Sequence, residues 1–169
     1  MSDYRRNRVP DGTYFFTVNL RTRRSDVLVA EIAHLREAVR KGWREKPFHV
    51  DAWVVLPDHL HCLRTLPPGD DDFPGRWQTI RIAFSRSLAV TEARSVNRLR
   101  RGERGIWQRR YWEHTIRDAR DYAAHMDYIH FNPVKHGLVR EVGLWPYSTF
   151  HRSVTLGLYP AAWAGGSAE

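Results

Sequence analysis

Residues 48–66 constrain the fold more than any other part of the chain. Two runs dense in β-branched and aromatic residues, 48–56 and 60–66, are separated by Pro57-Asp58, a pair suited to a turn. The spacing predicts a β-hairpin. On a strand, positions i and i+2 share a face, so His59 and His61 point into one space while Leu60 and Cys62 turn the other way, Cys62 into the core. Two neutral imidazoles suit Mn, Zn, Ni or Fe, and suit Mg only with oxygen partners and water completing the sphere. Surface or hydrogen-bonded core histidines show the same spacing, so the pair alone does not settle a function.

The rest of the chain supplies partners for that hairpin. Residues 14–20 read as a first strand, and residues 27–44 as a helix with Leu28, Ile32, Leu35 and Val39 on its apolar stripe, stopped by Pro47. A loop over 67–74 leads to a helix near 77–89, and the charged stretch 91–105 reads as a mobile loop. Residues 107–116 offer a fourth strand. Asp118 is the expected N-cap of a helix that runs to about Asn132, where Pro133 ends it. The order β-α-β-β-α-β-α resembles a split βαβ, ferredoxin-like α+β fold, an antiparallel sheet with helices packed on it. One domain over 1–150 followed by a C-terminal tail over 151–169 is the expected organisation.

The late helix carries the second group of candidates. Ala119, Tyr122, Met126 and Ile129 fall on one stripe, the expected core face. Tyr128 and Asn132 are spaced i, i+4 and should be neighbours about 6 Å apart, with His125 three residues before the tyrosine. A rim aromatic and a helix-terminating asparagine are the plainer readings of the same two residues. Asp70-Asp71-Asp72 reads as a solvated loop rather than a magnesium site, and His114 and His136 have no ligand partner at clear spacing. His34, His49, His130 and His151 carry no signal.

Charge points to the partner. The formal net charge is +8, and 24 of the 27 basic residues are arginines, which fork onto phosphate and stack on bases. Nucleic acid is therefore the expected partner. No long amphipathic basic helix argues for a membrane surface. One cysteine excludes an internal disulfide and a cysteine-rich zinc module, and residues 1–10 are polar and basic. The cytoplasm, nucleoid-associated in a bacterium, is the expected location. Arg5, Arg6, Arg8, Arg21, Arg23, Arg24, Arg109, Arg110 and Lys135 are the candidate DNA contacts, with nearby Trp and Tyr available for stacking.

Several separated blocks in the same order resemble the REP-associated tyrosine transposases, within the single-tyrosine HUH transposases. They are Gly12-Thr-Tyr-Phe-Phe-Thr-Val-Asn-Leu20, Ala52-Trp-Val-Val-Leu-Pro-Asp-His-Leu-His-Cys62, Asp70-Asp-Asp-Phe73, Ile106-Trp-Gln108 with Trp112-Glu-His114, Asp127-Tyr-Ile129, Asn132-Pro-Val-Lys-His-Gly137 and Trp145-Pro-Tyr147. The resemblance covers nearly the whole chain. It implies that His59 and His61 bind a divalent ion (Mg or Mn), that Tyr128 is the nucleophile, and that Asn132 completes the metal shell, where Gln is the better-known residue among relatives. The implied activity is cleavage and rejoining of single-stranded hairpin DNA of the repetitive extragenic palindrome type, through a 5′-phosphotyrosine. A short single-stranded guide tetranucleotide flanks the hairpin. A hairpin-binding protein that kept the fold and lost the chemistry is the alternative, and a hydrolase using water is a third. The base that takes the phenol proton is open between His125 and a water on the metal. The assembly is open between monomer and homodimer, the subgroup resembling a monomer.

Overall fold

The computed structural model describes residues 5–90, 96–101 and 104–166. Four strands, β1 (Thr13–Asn19), β2 (His49–Val55), β3 (His59–Thr65) and β4 (Trp112–Thr115), form one sheet in the order β2-β3-β1-β4. Every neighbouring pair is antiparallel. The helices are α1 (Val27–Ala30), α2 (Ile32–Glu45), α3 (Phe73–Ser87), α4 (Val96–Arg101), α5 (Ala119–Lys135) and α6 (Phe150–Thr155). This is the ferredoxin-like, split βαβ arrangement, with both sheet faces covered.

Strand alternation divides the core in two. Tyr14, Phe16, Val18, Leu60 and Cys62 meet Leu35 and Ala38 of α2 and Trp77, Ile80 and Phe84 of α3 on the first face. Phe15, Ala52, Val54, Leu56 and Leu63 meet Met126 and Ile129 of α5 on the second. Cys62 lies in the first core, on the side opposite the two histidines. The β2–β3 register shifts between Val50 and Ala52, a bulge that leaves Asp51 extra. The Asp51 carboxylate accepts a hydrogen bond from Thr65 (2.8 Å) and another from the Tyr122 hydroxyl (2.7 Å), tying the bulge to α5.

Several boundaries differ from the sequence reading, each for a physical reason. The first helix is broken at Glu31 into α1 and α2. The predicted loop over 67–74 gives way to α3 at Phe73, because Asp72 caps the helix by accepting from Gly75 N–H (3.0 Å) and Pro74 fits its first turn. The fourth strand is shortened to Trp112–Thr115, and Trp107 makes only an isolated bridge to Leu20. The stretch read as a mobile loop contains α4, while 91–95 and 102–103 lie outside the described residues.

Asp118 does cap α5, accepting from Asp121 N–H (2.8 Å). Pro133, however, lies inside the helix. It removes only the donor for the Ile129 carbonyl, and the helix runs on to Lys135, two residues later. There Gly137, at φ 70°, and Leu138 donate back to Val134 (2.9 Å) and Pro133 (2.9 Å) in a Schellman motif. Asn132 is therefore a buried helical residue and not a terminator. Ala119, expected on the core stripe, is exposed.

The acidic trio is structural rather than solvated. Asp70 holds Arg76 through both carboxylate oxygens (3.0 and 2.7 Å), and Arg76 also donates to the carbonyls of Lys46, Pro47 and Asp72. That pairing holds the Asp70 carboxyl down at about 2, chiefly through the Arg76 hydrogen bonds. Asp71 pairs with Arg8 (2.8 Å), and Asp72 adds an ion pair with Lys46 to its cap. Arg64 is also internal, its guanidinium caged by Trp77 (4.2 Å), Phe48 (4.6 Å) and Phe16 (5.0 Å). Arg76→Ala should lower unfolding stability by on the order of 3 kcal/mol in urea titrations, since it strands several buried carbonyls and a carboxylate. A change below about 0.5 kcal/mol would show that the clip contributes little.

Candidate active site

His59 and His61 stand on the second face of β3, both buried, with ring centroids 5.0 Å apart. Each is oriented by a hydrogen bond at Nδ1. The Asp58 carboxylate accepts from His59 Nδ1 (2.6 Å), and His61 Nδ1 bonds the Thr17 hydroxyl (2.8 Å) from the paired strand β1. An anchored Nδ1 leaves Nε2 as the ligating nitrogen, the usual arrangement for metal-binding histidine. The Nε2 of His61 is buried without a hydrogen-bond partner. Burial, with His59, His136 and Lys135 nearby, holds the His61 ring neutral down to about 3, so its lone pair is available. Burial alone would raise Asp58. Hydrogen bonds from His59 and the Arg24 N–H, with Arg23 adding its charge, outweigh that and lower it.

Helix α5 brings the other half. Tyr128 stacks edge-on against His61 at 5.3 Å and against Phe15 at 5.8 Å. Two turns later His136 lies 5.2 Å from His59. Asn132, midway between them at i+4 from one and i−4 from the other, shares that helix face. Its amide is fully buried, and both its oxygen and its nitrogen lack partners. An unsatisfied buried amide is costly, and among the described residues the Asn132 carbonyl oxygen and His61 Nε2 each keep a lone pair of the kind that suits a divalent ion, whereas the amide nitrogen can only donate.

In sequence His136 has no ligand partner at clear spacing. Its only signal was its i+8 relation to Tyr128, which became meaningful once the helix was seen to continue past Pro133.

Three tyrosines meet α5, and they are not alike. Tyr122 donates to Asp51 and Tyr159 to Asp127 (2.5 Å), and burial plus those carboxylates push both phenols up, keeping them protonated. Tyr128 is 38% exposed, and its hydroxyl makes no hydrogen bond among the described residues. The Lys135 ammonium lies 4.8 Å from its ring centre.

No family model matches the chain. An Escherichia coli K12 protein named REP-associated tyrosine transposase is 52% identical over 165 residues, spanning 98% of this chain and 92% of its own. A Haemophilus influenzae protein carrying the same family name is 46% identical over 167 residues, spanning 98% of this chain and 94% of its own. The chain belongs to the REP-associated tyrosine transposases. A solved structure of a REP-associated tyrosine transposase bound to a REP hairpin superposes at a TM-score of 0.87, with 50% identity, over all of this chain and 94% of that one. Among the described residues of this transposase, no helix is long and apolar enough to cross a membrane.

The basic residues proposed from sequence fall into two sorts in this family member. Arg6 is paired with Glu113 (2.6 Å) over the Tyr111 ring, Arg8 with Asp71, and Arg23 with Asn19 (2.7 Å) and Asp58 (3.4 Å). Arg5, Arg21, Arg24, Arg109 and Arg110 are exposed and form no ion pair among the described residues.

Two outcomes are expected from these environments. Asn132→Leu should leave the metal-free protein equally or more stable while shrinking the rise in melting temperature that Mn produces; a large loss without metal would mean the amide has partners after all. His130, buried against Thr149 (3.0 Å), is pushed down to about 4 by burial from its ordinary 6.5. Its folded value lies below its unfolded one, so the unfolded chain binds the extra proton. His130 should thereby remove on the order of 3 kcal/mol of stability as pH drops from about 6.5 to about 4, in addition to the loss that the buried His61 brings over the same range. Urea titrations across that window check this, and His130→Gln should flatten the slope.

Proposed function

We propose that this transposase cleaves and rejoins single-stranded hairpin DNA of the REP type through a covalent bond to Tyr128. The observation that carries the reading is the contrast among the tyrosines. Tyr128 alone of the three presents a hydroxyl free of carboxylate partners, and its ring lies beside His61. The hairpin as partner follows from the relative whose solved complex contains one.

His59, His61 and Asn132 would hold a divalent ion, Mg or Mn. His136 is well placed to join them. When bound, such an ion neutralises charge on the scissile phosphate and polarises phosphorus. Asp58 accepts from His59 Nδ1, which leaves Nε2 of that ring bare, and Thr17 holds the orientation of the His61 ring. Tyr128 oxygen attacks phosphorus, the bond to the leaving 3′ oxygen breaks, and a 3′-OH strand departs. The phenol proton passes to a base, His125 or water, as the new bond forms, and the departing 3′ oxygen takes up a proton to become the 3′-OH. The 5′-phosphotyrosine keeps the bond energy, so a second 3′-OH restores the strand and frees the phenol.

Arg5, Arg21, Arg24, Arg109, Arg110 and Lys135 would meet phosphates, with Arg6, Arg8 and Arg23 exchanging acidic partners for DNA. Because α5 packs on the sheet of its own chain, one monomer carries both halves of the site. The unit over 1–150 is the working domain. Of the tail over 151–169, the described part steadies it, since Tyr159 binds Asp127, next to the nucleophile. A cytoplasmic, nucleoid-associated location suits this substrate.

Labelled hairpin DNA with Mn or Mg on a denaturing gel tests the proposal. Wild type should give cleaved strand and a protein–DNA adduct. Tyr128→Phe should abolish both while hairpin binding stays within about threefold. Persisting cleavage without adduct would replace strand transfer by hydrolysis, and absence of cleavage in wild type would leave a hairpin-binding protein. His59→Ala or His61→Ala should remove the metal response.

A further inference from the structure

A second cluster of ligating side chains lies on the same sheet face, outside the site just described. His114 comes from β4, and Asp121 and His125 come from the first two turns of α5. His114 pairs with Phe15 in the sheet register, which turns its ring toward α5. His114 Nε2 lies 2.8 Å from Asp121 Oδ2, and His125 Nδ1, which donates to the Asp121 backbone carbonyl (2.8 Å) and so leaves Nε2 as that ring's bare nitrogen, lies 3.2 Å from Asp121 Oδ1. The two imidazole rings are nearly parallel, with centroids 4.7 Å apart, close to the 5.0 Å of the His59–His61 pair. One ligand atom from each of the three residues falls within 4.8 Å of the others.

We propose that His114, Asp121 and His125 form a second metal site, for a divalent transition ion of the zinc type. Two imidazoles and one carboxylate are a borderline donor set, suited to Zn, Ni, Co or Mn and poorly matched to Mg or Ca. Zinc holds nitrogen and oxygen ligands at about 2.0–2.2 Å, which sets ligand atoms roughly 3–4 Å apart. Closing the present spacing to that range calls for side-chain rotation and no move of the backbone elements. The side chains are 27% (His114), 11% (Asp121) and 23% (His125) exposed, so an ion reaches them from solvent, and the flanking Arg117, far more exposed, is free to swing away. A fourth position is left to water.

Phe15 separates this site from the first. Its ring lies 5.5 Å from that of His61 on one side and 4.8 Å from that of His125 on the other. The two groups therefore load independently, and the second does not rest on the proposed strand-transfer chemistry. Its consequence is mechanical. An ion there fastens the edge strand β4 to the start of α5, the helix that carries Tyr128 and Asn132.

Zinc binding to the full chain with His59→Ala and His61→Ala together provides the test. After equilibrium dialysis this variant should retain one zinc per chain and gain melting temperature with zinc alone. Adding Asp121→Asn, which keeps the side-chain shape, should weaken that binding at least tenfold. His114→Gln, at the exposed end of β4, should do the same, with circular dichroism confirming that each variant is folded. No zinc in the double variant would overturn the proposal. So would zinc binding undiminished by Asp121→Asn and by His114→Gln, since that places the ion on other histidines.

Discussion

The central position of β3 is the constraint on which the remaining structure depends. It is hydrogen-bonded on both sides, to β2 and to β1, so its register is set twice. Its alternation then decides everything that faces α5. A slip by one residue would send Leu60 and Cys62 to the site and drive two imidazoles among Phe16, Trp77 and Phe84. Desolvating those rings without partners would cost several kcal/mol. The histidines are thus held in place by the apolar residues that alternate with them, more than by any bond of their own.

Helix α5 turns that half-site into a pair of facing surfaces. Met126 and Ile129 supply apolar contact, and three polar ties fix its position along the sheet: Tyr122 to Asp51, His130 to Thr149, and Tyr159 to Asp127. The bulge at Asp51 is what lets β2 offer a carboxylate to the helix without breaking the ladder beyond it. Two phenols are thereby consumed in docking and one is left unbound. On the proposed reading, a helix tied in this way holds Tyr128 beside His61 before DNA arrives, which would lower the ordering cost of forming the site.

What could be read from the sequence was local. The hairpin, the shared face of His59 and His61, the Asp118 cap and the Tyr128–Asn132 spacing all follow from periods of two or 3.6 residues and from short-range capping. The misread features depend on residues distant in the chain. Asp70-Asp71-Asp72 looked like a solvated loop because Arg76, Lys46 and Arg8 come from other elements. Pro133 looked like a stop because its single lost hydrogen bond is weighed against packing that only the fold provides, Pro133 itself being buried. His136 stayed without a role for the same reason, since it meets His59 only if the helix continues.

Charge is the property whose sequence reading changes most in three dimensions. A net +8 carried largely by arginine points to nucleic acid as partner, yet not every arginine is available to it: Arg64 and Arg76 are internal, and Arg6, Arg8 and Arg23 are paired. Among the candidate contacts, four arginines without an ion pair come from two separate stretches, Arg21 and Arg24 in one and Arg109 and Arg110 in the other. The fold joins them: Arg21 N–H donates to Ile106 (2.9 Å), Gln108 N–H donates to Asn19 (2.9 Å), and Leu20 bridges Trp107. Asn19 is in turn the register partner of His59, and Leu20 N–H donates to Asp58 (2.8 Å). Both arginine groups therefore border the end of the sheet where the histidines stand. On the proposed reading, a field concentrated at that rim draws a phosphate backbone toward the site itself. It also makes capture steeply dependent on salt, because each phosphate neutralised there releases a counterion.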